Sequence, residues 1–452
     1  MTNPSFYKKL LHLAVPVSLQ FLLHSSRYIA DVLMLGHIGK NELAAVGLCT
    51  SIHMVANSLV FGLAAGVGLL CAQYFGANDS AGITKTTNTG AALAWAFMLP
   101  LAVLFASVPS AVISVATNDP VLIAMGADYL RFTSVLPVMI GTVVVVGAGI
   151  NALGKPQLNL LFTGIAVGLN VFFNWLLIFG NWGAPAMGVK GAALATVMSI
   201  AVELAIIFAY LNWARLPVRI SLQLLRQYVS RANMVSFLRI SLPLIIGGAA
   251  WHVGAFMYQV AYGHMGATQL AAITMVQPLR LLCFSFFWGI SSATGVMIGH
   301  LLGASRFDEA YTRSRILIVL GMIAAIIAAA GVWVTRHQIW MLFGGLDRTT
   351  VAMAEDVLRV MLFTIWILAG NVVGIVGVLQ SGADNRFILK MDLFCQWAVG
   401  IPLCWLGAFY FHWPLHWVFF AAFSEEMVKL LFWIPRVQSK VWIRNLVAPA
   451  NG

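Results

Sequence analysis

Asp31 lies inside an apolar run, PVSLQFLLHSSRYIADVLMLG (16–36), where a charge is costly and needs a reason. A low-dielectric surrounding disfavours the ionised form of a carboxylate, so a group placed there can exchange a proton in the working pH range or hold a sodium ion. The competing account of Asp31 is a structural pair with Arg27, one helical turn earlier on the same face. Asn170 and Asn174 stand one turn apart in GLNVFFNWLL (168–177) and could bond Asp31 or offer carbonyl oxygens to a cation. Ordinary interhelical hydrogen bonding would explain them equally well. Thr196, in GAALATVMS (191–199), is a further candidate, although an isolated helical threonine commonly bonds back to its own helix. Pro16 removes a backbone hydrogen bond and permits a kink below Asp31, either a passive one or a hinge.

Later in the chain, Trp251 and His252 are candidates to line a substrate cavity, with Arg27 and Tyr258. An imidazole titrates near neutral pH, but a lone histidine in an apolar helix is more often simply hydrogen-bonded. Glu203 and Asp392 are further acids within helical runs, and Glu425 and Glu426 are spaced to pair with Lys429.

The elements that carry these residues are long apolar helices. A span needs about 20 mostly apolar residues, and roughly a dozen such runs can be placed. There is no alternating pattern of the β-barrel kind. The frame around Asp31 also returns 227 residues later: Pro16, Gly36, His37, Gly39 and Leu43-Ala44-Ala45 match Pro243, Gly263, His264, Gly266 and Leu270-Ala271-Ala272. The register continues to Gly62/Gly289, Gly68/Gly295 and Gly76-Ala77/Gly303-Ala304. The turn LGKPQLNLL (153–161) echoes GADNRFILK (382–390) less tightly. Opposite Asp31 stands the uncharged Tyr258, which directs the search for function to the first copy.

These patterns predict an all-α polytopic membrane protein of twelve transmembrane helices in two duplicated lobes. The N-lobe would take residues 1–213 (helices 1–6), a basic cytoplasmic linker 214–239, and the C-lobe 240–452 (helices 7–12). Repeats with an even helix count enter from the same side and place a central substrate cavity between the lobes.

Of 452 residues 61% are apolar and 9% charged, far from a soluble domain. The net charge of +11 invites a nucleic-acid reading, but its distribution argues otherwise. With the N-terminus inside, 17 Lys/Arg fall on cytoplasmic connections, against Lys40, Lys190, Arg336 and Arg348 outside. That is the positive-inside bias, and it puts both termini in the cytoplasm. The five cysteines lie in apolar runs at no metal-ligand spacing and are expected as free thiols. No phosphate-loop, HExxH or GxSxG motif is present, so transport driven by an ion gradient is the economical reading.

The combination of the Asp31 frame with its duplicated Gly-x-x-Gly…Leu-Ala-Ala turns, GLAAGVGLLCAQYFGA (62–77), ALGKP (152–156), PAMGVKGAALATVMS (185–199) and SGADNRF (381–387) resembles the multidrug and toxic compound extrusion family over essentially the whole chain. The resemblance implies a V-shaped antiporter of two six-helix lobes that exports organic cations and amphipathic drugs against entry of protons or sodium. It places Asp31 on the family's first-helix carboxylate. Pro16, Asn170 and Thr196 fall on the helix 1 proline, helix 5 asparagine and helix 6 threonine of the DinF-like branch. Asn174 departs from that branch, which often has a second aspartate there. AAWHV (249–253) and ILAGN (367–371) lack the acids with which the NorM-like branch binds its coupling ion.

The expected function is thus efflux by alternating access, with protons as coupling ion and sodium at Asp31 as the alternative. No cofactor, resident metal, catalytic residue or nucleic-acid partner is expected. The partners would be small amphipathic or cationic substrates and the lipid bilayer, with a monomer in the cell inner membrane as the simplest state. A lipid-linked precursor flippase is the alternative, and it would require several of Arg27, Arg131, Arg280 and Arg359 to converge.

Overall fold

The computed structural model describes residues 4–341 and 348–447. They form twelve long helical runs: α1 (Pro4–Gly36), α2 (Lys40–Gly76), α3 (Ser80–Ser107), α4 (Pro120–Phe132 and Leu136–Ala152), α5 (Pro156–Phe179), α6 (Val189–Trp213), α7 (Arg231–Met265), α8 (Ala267–Gly303), α9 (Phe307–Met341), α10 (Arg348–Asn371, continued by Val372–Leu379), α11 (Asn385–Leu393, continued to Tyr410) and α12 (Leu415–Gln438). Among the described residues nine of these runs, and α4 if its two parts are one span, are long and apolar enough to cross a membrane. The other two, α1 and α12, carry charges in mid-helix: Arg27 and Asp31, and Glu425, Glu426 and Lys429.

Local chemistry sets where the helices begin, bend and widen. α7 starts at Arg231, ahead of its apolar run, because the Ser230 hydroxyl accepts from the Asn233 amide and caps the first turn. α4 bends by 50° between Phe132 and Leu136, where Pro137 cannot complete the hydrogen-bond ladder. α11 widens into π-helical turns over Phe394–Gly400, just before Pro402, whose ring excludes the usual i−4 carbonyl.

The duplication is visible in the backbone. α2 and α8 are each 37 residues long. Each ends in the same cap, with a left-handed residue two positions past the helix: Asn78 at φ 57° and Ser305 at φ 56°. The looser echo also has one geometry, with Gly154 (φ 74°) and Ala383 (φ 56°) both left-handed. In the first, Lys155 N–H donates to Ile150 O; in the second, Asp384 N–H donates to Leu379 O. These two turns are 229 residues apart (383 − 154), so two residues have entered one copy between the landmarks.

The chain divides into two compact units, one of residues 19–245 and one of residues 246–452 with residues 1–18. The two cuts are themselves 227 residues apart (245 − 18), the offset of the repeat. Each unit therefore contains the opening half of the first helix of the other copy. In the second unit Phe6, Leu10, Leu13 and Ala14, one face of α1 by their spacing, join a core with Ala293 and Met297 of α8. In the first unit the start of α7 packs on α2 through Ile245 and Ser241.

Equivalent glycines make both contacts. A Cβ on Gly62 would come within 2.6 Å of the Ile245 backbone, and one on Gly289 within 2.5 Å of the Ala14 carbonyl oxygen. Only glycine lets two helix backbones come this close. Gly62→Ala and Gly289→Ala are each expected to destabilise by about 1–3 kcal/mol, the range for overpacking. Thermal unfolding in detergent checks this, with Gly168→Ala, where nothing lies within 4 Å, as the unaffected control.

Candidate ion-coupling site

The first unit gathers its polar residues where α1, α5 and α6 face one another. α5 ends at Gly180, left-handed at φ 73°, and α6 starts after Gly188 at φ 54°. Gly191 then brings α6 against α5, since a Cβ there would come within 2.5 Å of the Leu177 carbonyl oxygen. This close approach sets Thr196 opposite Asn170, and their side chains bond at 3.3 Å with the amide donating.

From there a chain of hydrogen bonds runs to the carboxylate. Asn174 Nδ2 donates to Asn170 Oδ1 at 3.3 Å and to Asp31 Oδ1 at 2.5 Å. Asn170 and Asn174 are fully buried, Thr196 nearly so, and Asp31 half-buried. Tyr129 of α4, also buried, is a polar neighbour of Thr196. Asn174 Oδ1, by contrast, is buried with no partner among the described residues. The four residues singled out from sequence thus form one connected set. Tyr129 is the neighbour that sequence reasoning missed; it stands in GADYLRF (126–132), and no spacing marks it.

Arg27 acts electrostatically on Asp31, yet among the described residues no ion pair joins them. The structural pairing weighed from their spacing is therefore not formed. Pro16 lies within α1, which continues helically through it. Among the described residues no group of three or more histidines, cysteines and carboxylates is set to hold a metal ion. Asp31, Asn170, Asn174 and Thr196 each carry a side-chain oxygen, a hard donor for a cation, although the Asn174 atom that meets Asp31 is its amide nitrogen.

The remaining candidates lie in the second unit. Trp251 is exposed and its ring meets His252 edge-on at 5.1 Å. His252 Nδ1 is 2.7 Å from the Gly248 carbonyl of its own helix, so that ring nitrogen is satisfied locally. Tyr258 donates its hydroxyl to Glu425 Oε2 at 2.6 Å. The carboxylate absent from the first helix of the second copy is thus supplied by α12. Gly400 makes room for this pair, because a Cβ there would come within 2.9 Å of Glu425 Oε2.

Around Glu425 the second unit buries a dense ionic network. Lys429 Nζ lies 2.9 Å from Glu426, 3.6 Å from Asp392 and 4.0 Å from Glu425. Asn371 Nδ2 donates to Glu426 Oε2 at 2.6 Å, and Trp433 Nε1 donates to Asn371 Oδ1 at 2.6 Å. The i, i+4 and i, i+3 spacing of Lys429 from the two glutamates announced the pairing; the contributions of Asp392, Asn371 and Tyr258 depend on tertiary packing.

Twelve long helices in duplicated sets, with charged and amide side chains gathered inside each unit, define a multi-pass membrane transporter. The chain belongs to the MatE family, whose model matches it twice, over residues 16–176 and 243–406. It is therefore a transporter and not an enzyme. Each match starts on the internal proline of its copy, Pro16 and Pro243.

Among the relatives, the probable multidrug resistance protein NorM of Pseudomonas syringae pathovar tomato is 28% identical over 425 residues, covering 90% of each chain. The uncharacterized transporter YisQ of Bacillus subtilis is 23% identical over 445 residues, covering 97% of this chain and 96% of its own. Among solved structures, an outward-facing multidrug resistance MATE family transporter of the MOP superfamily superposes with a TM-score of 0.86. A MOP superfamily transporter from Pyrococcus furiosus gives 0.85. Both are 18% identical and cover 96% of each chain, a likeness of fold.

Lys429 is the one cation in direct ion-pair contact with Asp392, Glu425 and Glu426 among the described residues. Lys429→Met should destabilise the protein by about 3–5 kcal/mol, the cost of breaking a buried pair from one side. Asn371→Ala should cost less, about 1–3 kcal/mol for the groups left unbonded. Thermal unfolding of both variants in detergent would establish the order.

Proposed function

We propose that the protein is a secondary active efflux antiporter that exports organic cations or amphipathic drugs in exchange for protons, with Asp31 as the coupling carboxylate. The family and the NorM relatives, named as multidrug resistance proteins, support the substrate class. The observation that carries the coupling is the Asp31–Asn174 contact. As oriented, the Asn174 amide donates to a carboxylate; turned over, its unpartnered oxygen would accept from a carboxylic acid. One buried amide can therefore serve both protonation states of Asp31. Asn170 and Thr196 brace that amide, and Pro16 gives α1 a place to bend as the proton arrives. Trp251, His252, Tyr258 and Arg27 are the residues proposed to contact substrate.

In this reading the N-lobe (1–213) and the C-lobe (240–452), joined by the basic segment 214–239, alternate access across the inner membrane. Both termini are cytoplasmic and the monomer is the working unit. The Lys/Arg distribution supports that orientation. Sodium is the second coupling ion to test, because Asp31, Asn170, Asn174 and Thr196 each carry an oxygen that could ligate it. The flippase alternative is weakened by its arginines. Arg131 is exposed, and Arg359 is exposed and paired on its own helix with Glu355 at 3.4 Å and Asp356 at 3.3 Å. Of the four, only Arg27 and Arg280 remain partly buried and outside an ion pair among the described residues.

Everted vesicles energised in sodium-free buffer test the proposal, with a fluorescent probe following the pH gradient as ethidium is added. Wild type should collapse the gradient and Asp31→Asn should not. Equal collapse by the variant would remove Asp31 from the mechanism, and collapse only after sodium is supplied would replace the proton.

A further inference from the structure

The polar set around Asp31 has a second level on the same three helices. On α1, Gln20, His24, Arg27 and Asp31 follow one another at three- and four-residue steps and so share a face. Thr163, Asn170 and Asn174, at steps of seven and four, share a face of α5, and Thr196, Ser199 and Glu203, at steps of three and four, share one of α6. Thr163 and Glu203 lie two helical turns from Asn170 and Thr196, about 10 Å along the axes. They close a second cross-link: Gln20 Nε2 donates to Thr163 Oγ1 at 3.1 Å, and the Thr163 hydroxyl donates to Glu203 Oε1 at 3.4 Å.

Glu203 is 4% exposed. Among the described residues no ion pair reaches it, and it accepts a hydrogen bond from the neutral Thr163 hydroxyl. The ionisable groups facing the stripes are Arg27, His24 and Asp31 on α1 and Tyr129 on α4. Arg27 acts electrostatically on both Asp31 and Glu203. Two carboxylates thus share one fixed cation, leaving a single negative charge uncompensated where charge is expensive.

We infer that Glu203 is the second carboxylate of a set in which Arg27 neutralises Asp31 or Glu203, one at a time, and the remaining charge is cancelled alternately by one proton or by one monovalent cationic substrate. The inference rests on the proton-antiport reading and specifies it. Substrate entry displaces one proton from the carboxyl group to water, and proton return displaces the substrate. Glu203 also supplies the second acid that Asn174 does not.

The test measures protons released when ethidium binds the purified full-length protein in weakly buffered detergent solution containing a pH dye. Wild type should release protons. Asp31→Asn and Glu203→Gln should each lose the release, because one carboxylate paired with Arg27 needs no proton. Removing the cation as well, in the double variant Glu203→Gln with Arg27→Gln, should restore release through Asp31, a rescue that a structural role for Glu203 does not produce. Glu203→Asp, which keeps the charge but draws it back from Thr163, should shift the pH midpoint of release. Release by Glu203→Gln equal to wild type, or an unmoved midpoint in Glu203→Asp, overturns the inference while Asp31 keeps its role. Absence of release from wild type itself removes the proton reading beneath it.

Discussion

A charge held away from water must be answered within a few ångströms, and both units are built around that requirement. The second unit answers directly: Lys429 stands among three carboxylates, and Tyr258, Asn371 and Trp433 take up the remaining bonds. Such a network is rigid, because removing any partner strands another. The first unit answers with neutral donors: Asp31 is bonded by an amide, Glu203 by a hydroxyl, and among the described residues neither carboxylate is in an ion pair. Neutral donors leave the protonation state open, and an amide with a spare oxygen can follow it. The contrast between a closed ionic network and an open amide-bonded carboxylate is the physical ground on which we propose ion exchange in the first unit.

The second constraint is the exchange of helix halves. The unit boundaries fall after Ser18 and after Ile245, at equivalent positions of the repeat and two residues beyond Pro16 and Pro243. Gly62 and Gly289 fix the exchanged halves by backbone-to-helix contacts too close for any side chain. In the first copy the free half of α1, beyond the proline, carries Gln20, Arg27 and Asp31. A proline at the changeover removes one backbone hydrogen bond from the ladder, so bending is least costly there. The seated half of the helix and the half that carries Asp31 are therefore separated by the weakest point between them.

Much of this was legible in the chain. Apolar runs of spanning length, the 227-residue register and Asp31 with Asn170, Asn174 and Thr196 could all be read from residue type and spacing, because hydropathy, glycine turns and helical periodicity are local properties. The family, too, is carried by short motifs at fixed distances. What spacing could not give was partnership between distant helices. Arg27 sits one turn from Asp31 and would have been paired with it, yet the Asn174 amide from α5 takes the carboxylate instead. Tyr258, uncharged at the position matching Asp31, argued for an empty second site, whereas α12 delivers Glu425 to its hydroxyl. Glu203 stood out in sequence only as a further acid in a helical run and Thr163 not at all, and they become a pair only once α5 and α6 pack. The sequence by itself determined which helices exist, how they repeat and which of them carry charge. Only the tertiary structure decided which charges meet, because in a bundle of long helices a partner is chosen by rotation and close approach, and these are set by glycines and prolines many residues away.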